Sequence, residues 1–545
     1  MSKNNFKQRR DFLRTLIAGG AAGALGSMGQ LALMREASAA SPAFSDYKAM
    51  VCVFLYGGND SFNMIMPSGT DATKGHAAYA TSRGDLSVAN NPLSYGAGSF
   101  ANAAANPYYD GGDSRSAYLK GLYPIGNSGL GINGVMPELA QLVATNKASI
   151  MSNIGNLVQP VTKAAIANQT ANLPLFLFAH NHQQRALQTG QGDNLNDVGW
   201  AGKLADNWAD INNNSPLGLN ISYAGSDRML IGNNSVPLAI GTGNPPRFED
   251  MYKDKWNSHT DRRALFKALS GQENSSSTGR LDFGAENTFK ATDPFQSILS
   301  ASSSKSMDVF DLLYDSLNTY EAGYTSKDGY GNDLFTSPTA DQLGLSDTLG
   351  GRLLSQLGAV AKMIDIGASG AFNTGAYNRQ VFMVSLGGFD THSEQDTRHP
   401  LLLRELSLAL SSFQKALEDK GHANKVTTFT MSDFGRTLGN NGDGTDHAWG
   451  AHHIVMGGDG DRSVGNFNGG QVIGSLPEML LDGADDYSNR GRIIPTTAQD
   501  QLNASLCRWF GVDDTLMPTL FPNLANFGAT PGDLSTAYLD ELYVS

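Results

Sequence analysis

The sequence predicts an α/β fold, a doubly wound and mostly parallel sheet with helices on both faces and long loop insertions. Short apolar runs that end at glycines alternate along the chain with segments in which apolar residues recur at helical spacing. Such alternation is typical of doubly wound sheets. The chain has 545 residues, of which 40% are hydrophobic, so it can bury a large core.

The short apolar runs predict the strands, which cover residues 50–56, 148–154, 217–222, 236–240, 380–386, 425–431 and 453–456. Apolar residues at helical spacing predict helices over residues 309–320, 349–366, 400–420 and 497–510. The clearest βαβ unit is formed by 380–386, 400–420 and 425–431. The last helix is expected to stop at Gly511.

Three polar stretches predict insertions in a single domain that spans residues 40–545. Residues 68–130 are rich in Gly, Asn, Ser and Tyr, and residues 271–305 and 322–345 are similarly polar, which places insertions near 68–130 and 271–345. Residues 129–134 match G-x-G-x-x-G but follow a polar turn, so we expect a loop leading into a helix and no dinucleotide site. Long loops on such a scaffold commonly form the walls of a site.

Charge and hydrophobicity argue against two classes of protein, and the cysteine content argues against a disulfide-stabilised fold. The formal net charge of −13 argues against a nucleic-acid partner, and beyond the N-terminus no apolar span is long enough to cross a bilayer. Cys52 lies in an apolar strand and Cys507 in a predicted helix. Two buried thiols are therefore favoured over a disulfide between them.

The first 39 residues resemble a twin-arginine signal peptide. The run 9–14 (RRDFLR) precedes a weakly hydrophobic, glycine-rich stretch at 16–33, and Ala37-Ser38-Ala39 has the small-x-small pattern of a cleavage site. The alternative is a chance arginine pair before an amphipathic helix. A leader at 1–39 predicts export by the twin-arginine machinery and a periplasmic or secreted protein.

Acidic and histidine residues cluster after the predicted strands. They are Asp60, Asp390, His392 and Asp433 at strand ends, with Asp446, His447, His452 and His453 just beyond. Because the carboxyl ends of parallel strands share one edge, these side chains are expected to converge there. Mixed Asp and His ligands suit zinc, manganese or a similar divalent ion, and two ions about 4 Å apart could clamp a phosphoryl group.

Each residue also has a structural alternative. Asp60 could be a helix N-cap, and Asp433 with Arg436 could be an ion pair within a turn. His180-Asn181-His182 has metal-ligand spacing, but that spacing alone is a weak signal. The chain has no G-x-S-x-G, H-E-x-x-H or Walker pattern, so the common esterase, metalloprotease and ATP chemistries are not indicated.

Together these motifs resemble one bacterial exported family, catalogued as domain of unknown function 1501. They are the leader, Gly57-Gly58-Asn59-Asp60, Gly387-Gly388-Phe389-Asp390-Thr391-His392, Ser432-Asp433-Phe434-Gly435-Arg436 and Thr445-Asp446-His447. The family is similar to the alkaline phosphatase and sulfatase superfamily, and Asp446-His447-Ala448 resembles that superfamily's Asp-His-Ala/Gly metal motif.

The resemblance implies an alkaline phosphatase-like domain that hydrolyses a small anionic phosphate or sulfate ester with two metal ions and an alkoxide nucleophile. It assigns Asp60, Asp446 and His447 to one ion, Asp390, His392 and His453 to the other, Thr162 to the nucleophile's region and Arg436 to the anionic substrate. The chain departs from the pattern in Asp390-x-His392, where the superfamily has Asp-x-x-x-His, and in Ala179-His180, where family members carry Ser-His. The alternative is a non-catalytic envelope or extracellular binding protein that retains the fold.

Overall fold

A computed structural model describes most of the chain from residue 42 onward. The described residues are 42–94, 114–212, 215, 217–243, 309–310, 312–343, 348–370, 377–530 and 532–544. The predicted leader at 1–39 and the predicted insertion at 271–305 lie outside them. No helix within the described ranges is both long and apolar enough to cross a membrane.

Strands and helices alternate through these residues. The strands are β1 (Lys48–Tyr56), β2 (Ile65–Pro67), β3 (Leu122–Pro124), β4 (Leu130–Asn133), β5 (Ala148–Gly155), β6 (Asn220–Ser222), β7 (Leu238–Ala239), β8 (Arg379–Gly387), β9 (Val426–Ser432), β10 (Arg436–Asn440), β11 (Thr445–His447), β12 (Ala451–Gly457), β13 (Val472–Ile473) and β14 (Thr497–Ala498). The helices are α1 (Ser61–Met64), α2 (His76–Arg83), α3 (Ser114–Leu119), α4 (Pro137–Ala144), α5 (Lys163–Ala167), α6 (His180–Thr189), α7 (Trp200–Asn207), α8 (Ala340–Leu343), α9 (Arg352–Ser369), α10 (Gln395–Asp419), α11 (Gln499–Phe510) and α12 (Met517–Leu520).

The central sheet has nine strands in the order β13-β5-β12-β9-β1-β8-β6-β7, with β14 also paired to β5. Neighbouring strands are parallel except at β12, which runs antiparallel to both β5 and β9. The prediction of an α/β fold with a large, mostly parallel sheet is therefore confirmed.

The middle of this sheet is covered on both faces. Alternate residues of β1 enter two different core clusters, Val51 and Val53 with residues of α9 and α10, and Met50 and Phe54 with residues of α7 and α11. A strand buried on both faces needs a nearly continuous apolar sequence, which is what the 50–56 run provides.

The two cysteines lie in the same core cluster on one face of the sheet. Cys52 and Cys507 are both buried and both free. The favoured prediction of two buried thiols is confirmed. No disulfide joins these two residues, and this face is held together by close packing.

The prediction of a loop at 129–134 is wrong. Residues Leu130–Asn133 form β4, the middle strand of a three-stranded antiparallel sheet in the order β2-β4-β3. A Cβ on Gly131 would lie 2.5 Å from Leu122 Cδ1, so this glycine permits close packing within the small sheet. The glycine pattern thus has a structural cause here.

Candidate metal centre

Three parallel strands end level with one another at the edge that carries the candidate site. In the paired register, Tyr56 of β1 lies opposite Gly387 of β8, and Leu55 lies opposite Ser432 of β9. Gly57 has φ +114°, and a Cβ on it would lie 2.4 Å from the backbone nitrogen of Asp390. Only glycine allows the turn after β1 to lie directly against Asp390.

The candidate metal centre consists of one carboxylate and three imidazoles. Asp390 Oδ1 lies 3.5 Å from His180 Nε2, 3.1 Å from His392 Nε2 and 3.4 Å from His447 Nε2. His447 Nε2 is also 3.0 Å from His180 Nε2 and 2.9 Å from His392 Nε2. The described residues thus bring three ring nitrogens and a carboxylate oxygen to one place, as a bound cation would require.

The opposite nitrogen of each ring is engaged outside the centre. The partners of the three Nδ1 atoms are Asp433 Oδ2 for His180 at 2.6 Å, Asp446 Oδ1 for His392 at 3.3 Å and the carbonyl of Phe178 for His447 at 2.8 Å. If each Nδ1–H donates to its acceptor, each Nε2 presents a lone pair to the centre. This outer arrangement is the one that orients histidine ligands in metal sites.

Asp433 is the best-fixed of these outer partners. Its side chain is fully buried, and Oδ2 accepts hydrogen bonds from His180 Nδ1, from Gln184 Nε2 at 2.9 Å and from the backbone nitrogen of Gly57 at 3.2 Å. The hydrogen bond to Asp433 is the main cause that raises the pKa of His180. Asp433 therefore orients His180 and stabilises positive charge on its ring.

Arg436 holds the carboxylate of the centre. It is fully buried and donates from Nη1 to Asp390 Oδ1 at 2.8 Å, and from Nη2 to the carbonyl of Thr445. Burial acts to raise the pKa of Asp390, but the hydrogen bond and charge of Arg436, together with His180 and His392, outweigh it and lower the pKa. Arg436 thus keeps Asp390 ionised, and its donors serve protein oxygens.

Asp446 and His447 reach the centre from a hairpin. They lie on β11, which pairs antiparallel with β10 so that Arg436 stands opposite His447. The hydroxyl of Thr437 accepts a hydrogen bond from the backbone nitrogen of Asp446 at 3.0 Å. The sequence predicted these two residues near the edge, but it did not predict that a separate hairpin carries them.

Three of the residues assigned by resemblance have their contacts elsewhere. Asp60 is fully buried and pairs with Arg83 Nη2 at 2.8 Å. His453 is buried within β12, and burial lowers its pKa to about 4. Thr162 is exposed, and its hydroxyl accepts from the backbone nitrogen of Ala165 at 3.2 Å as the N-cap of α5. The structure does not bring these three residues into the centre.

His180 is the ligand candidate that the sequence did not assign. It is the first residue of α6 and follows Ala179, and the loop before it contains two non-glycine residues with positive φ, Phe176 at 52° and Phe178 at 70°. The ring of His182 instead packs on that of Phe176, with the two centroids 4.3 Å apart. Of the two histidines in the His-x-His spacing, the structure thus places only His180 beside Asp390.

Comparisons with known proteins cover part of the chain. No curated protein matches it. Residues 369–515 match the family model described as "Protein of unknown function (DUF1501)". This segment contains Asp390, His392, Asp433, Arg436 and the Asp446-His447 pair, whereas His180 precedes it. The match supports the DUF1501 family for the part of the chain that supplies every member of the centre except His180.

Proposed function

We propose that the protein is an exported, metal-dependent hydrolase of phosphate or sulfate esters with an alkaline phosphatase-like fold. The observation that carries the proposal is the convergence of three Nε2 atoms on Asp390, with each Nδ1 engaged by an outer acceptor. Export rests on the twin-arginine pattern at 9–14, and the fold assignment on the motifs at the strand ends.

The donor set fits one divalent ion held by His180, Asp390 and His447, whose ligand atoms all lie within 4.8 Å of one another, and His392 Nε2 lies 3.1 Å from Asp390 Oδ1 as a further donor. Imidazole nitrogen with a carboxylate suits zinc, manganese or a similar metal. When bound, such an ion supplies Lewis-acid catalysis to ester hydrolysis. Within the described residues no second group of this kind is found, and Asp60, which the resemblance assigns to an ion, is paired with Arg83. The proposal is accordingly for one ion, and the second ion remains a prediction from the resemblance.

The candidate centre has a buried side, which holds the ligand residues in place, and a side that is open to solvent. On the buried side, Asp433 orients His180 and Arg436 keeps Asp390 ionised. On the open side, the side chains of Asp390 and His392 are 47% and 45% exposed, so a substrate can reach the centre from solvent. Fixed ligands below and an accessible face above are what a site for an exogenous ester needs.

One observation favours the alternative of a non-catalytic binding protein. Ala179 precedes His180 at the start of α6, where members of the resembled family carry serine, and alanine has no hydroxyl to act as a nucleophile. Thr162 does not substitute for it, because its exposed hydroxyl caps α5. A metal-binding protein without hydrolytic activity would retain the whole centre.

The test compares two histidines on the same helix. His180→Ala deletes a ligand, and we expect it to weaken metal binding by roughly a hundredfold or more, since losing an outer partner alone costs about tenfold to a hundredfold. His182→Ala is the matched control, because its ring packs on Phe176, and it should keep the ion. Elemental analysis of the folded protein measures occupancy, and a screen of phosphomonoesters, phosphodiesters and sulfate esters measures hydrolysis.

Each outcome decides between the alternatives. Full occupancy in His180→Ala would remove the metal centre and the hydrolase with it. Bound metal without turnover of any ester would favour the binding protein. Turnover that is lost with the metal in His180→Ala and retained in His182→Ala would support the hydrolase.

A further inference from the structure

One loop beside the centre has a path fixed by a single buried carboxylate. We call residues 482–492 the Asp486 loop. Asp486 is fully buried and accepts hydrogen bonds from four backbone nitrogens, those of Asp482 at 2.9 Å, Ser488 at 3.0 Å, Gly491 at 2.8 Å and Arg492 at 3.0 Å. A carboxylate with four such donors holds an irregular segment in one conformation.

The Asp486 loop places two arginines beside β11, which carries the centre residue His447 and the outer partner Asp446. Arg490 Nη1 lies 3.7 Å from Asp446 Oδ2, and its side chain is 69% exposed. Arg492 Nε donates to the carbonyl of His447 at 2.9 Å, and its guanidinium carbon lies 4.3 Å from the ring centroid of Phe178. Arg490 therefore lies beside Asp446, the outer partner of the half-exposed His392, and Arg492 lies beside the backbone of His447.

Arg490 is engaged very differently from Arg436. The buried guanidinium of Arg436 donates to Asp390, Thr445 and the carbonyl of Gly57, so its donors are used within the protein. Arg490 has one ion-pair contact among the described residues, at a distance too long for a hydrogen bond. A guanidinium has five N–H donors, so Arg490 retains donors for a ligand that solvent can deliver.

The charges around the centre suggest the charge of that ligand. Three carboxylates and three guanidinium groups offset one another, and the histidines are neutral when they bind metal. The charged residues are Asp390, Asp433, Asp446, Arg436, Arg490 and Arg492. A divalent ion would leave the site with two positive charges, which matches a dianionic group better than a monoanionic one.

We propose that Arg490, supported by Arg492, binds the oxygens of a phosphate-monoester dianion and selects this class over phosphodiesters and sulfate esters. The inference rests on the proposed metal centre and deepens its substrate class. A phosphate monoester carries close to two negative charges at neutral pH, whereas phosphodiesters and sulfate esters carry one. Planar guanidinium donors suit tetrahedral oxyanions, which can accept two hydrogen bonds from one arginine.

The test measures binding of small anions to the zinc-loaded protein by calorimetry. In the wild-type protein, inorganic phosphate and methyl phosphate should bind at least about tenfold more tightly than the monoanions dimethyl phosphate and methyl sulfate. Inorganic sulfate is also a dianion, so its affinity tells whether charge alone or phosphate itself is recognised. Arg490→Gln should weaken phosphate binding on the order of tenfold or more and reduce the preference over the monoanions. The matched control is Arg508→Gln, which removes another exposed arginine, 47% exposed, with long carboxylate contacts at 3.6 and 4.0 Å.

The outcomes separate this inference from the hydrolase assignment. Equal phosphate affinity in Arg490→Gln and Arg508→Gln, or no phosphate binding to the wild-type protein, would overturn it. Arg490-dependent phosphate binding without turnover of any ester would support it while removing the hydrolase. Turnover of diesters and sulfate esters as fast as monoesters, unchanged by Arg490→Gln, would support the hydrolase and overturn the inference. Arg490 is exposed, so the variant is expected to fold, and its thermal unfolding checks this.

Discussion

Two aspartates follow neighbouring strands of the sheet, each two residues after a Gly-Gly pair, and they occupy opposite surroundings. Asp60 follows β1 in Gly57-Gly58-Asn59-Asp60, and Asp390 follows β8 in Gly387-Gly388-Phe389-Asp390. The carboxylate of Asp60 is fully buried against Arg83 and Gln395. The carboxylate of Asp390 is about half exposed and faces three histidines.

The difference shows that the partner of a strand-end aspartate decides its role. Asp60 has a buried cation of its own, so it belongs to a supporting network. Arg83 also donates to the carbonyl of Thr437 at 2.9 Å, and Gln395 accepts from the hydroxyl of Thr445 at 2.6 Å. Both strands of the β10–β11 hairpin are thus held from beneath by the Asp60 network, while Asp390 remains available on the outside.

The sharpest way to separate the two aspartates is to remove the buried cation. Arg83→Met leaves Asp60 charged and unpaired in the interior, and we expect it to lower the free energy of unfolding by about 3–5 kcal/mol. The double variant Asp60→Asn, Arg83→Met should recover part of this loss because no charge is then left unpaired. Denaturant unfolding measures both. A loss below about 1 kcal/mol in Arg83→Met would contradict the supporting role.

The buried network around Asp60 should also make the stability of the protein depend on pH. His399 in the buried network contacts the hydroxyl of Tyr118 and the side-chain oxygen of Asn59, each at 2.8 Å, and burial lowers its pKa to about 4. The pKa of folded His399 is below the unfolded value of about 6.5, so the folded protein favours the neutral ring. The contribution of neutral His399 to the free energy of unfolding is therefore fully present above pH 6.5 and is lost as the pH falls towards 4.

We expect His399 to account for about 2–3 kcal/mol of the stability lost between pH 7 and pH 4.5. His399→Gln cannot take up this proton, so its unfolding free energy should depend less steeply on pH, whatever its absolute stability. Urea unfolding at the two pH values compares the slopes. The same pH dependence in the variant and the wild-type protein would show that His399 is not the responsible group.

A smaller effect is expected on metal affinity when the outer carboxylates that contact the histidines of the centre are changed. Asp433→Asn removes the charge that orients His180, and metal affinity should fall by roughly tenfold to a hundredfold. Asp446→Asn makes the same change opposite His392, where the contact is 3.3 Å and the carboxylate is partly exposed, so its effect should be smaller. Competition with a chromogenic chelator measures both affinities. A larger loss in Asp446→Asn would reverse the ranking given to the two carboxylates.

The sequence predicted the sheet well where apolar runs are long. The strands β1, β5, β8 and β9 are found where apolar runs end at glycines or polar residues. Periodicity carries no information on strand direction, so the antiparallel course of β12 could not be predicted. The segment 129–134 was misassigned because the close contact of Gly131 with Leu122 is tertiary and cannot be read from the glycine spacing.

The candidate site was predicted in part, because the sequence shows which residues follow the strands but not which tertiary partners they meet. Of the residues expected to converge, Asp390, His392, Asp446 and His447 lie in contact, whereas Asp60 and His453 have their contacts elsewhere. His180 enters from a helix far away in the chain, and its pairing with Asp433 depends on packing that spacing cannot reveal. In the same way, nothing near Asp60 in the sequence shows that Arg83 will neutralise it. Sequence position indicates which residues reach the edge, and tertiary partners decide their roles.

The reversed direction of β12 determines how much chain the centre can use. In a parallel pair, the segment between neighbouring strands must return to the opposite edge, commonly through a helix. Because β12 runs back from the end of β9, residues 433–450 never leave the edge where β9 ends. This connection can therefore supply residues to the site, although Leu438 and Trp449 within it pack in core clusters. Asp433, Arg436, Asp446 and His447 all come from this one uninterrupted segment, so a single change of strand direction lets one connection supply four residues of the candidate centre and its surroundings.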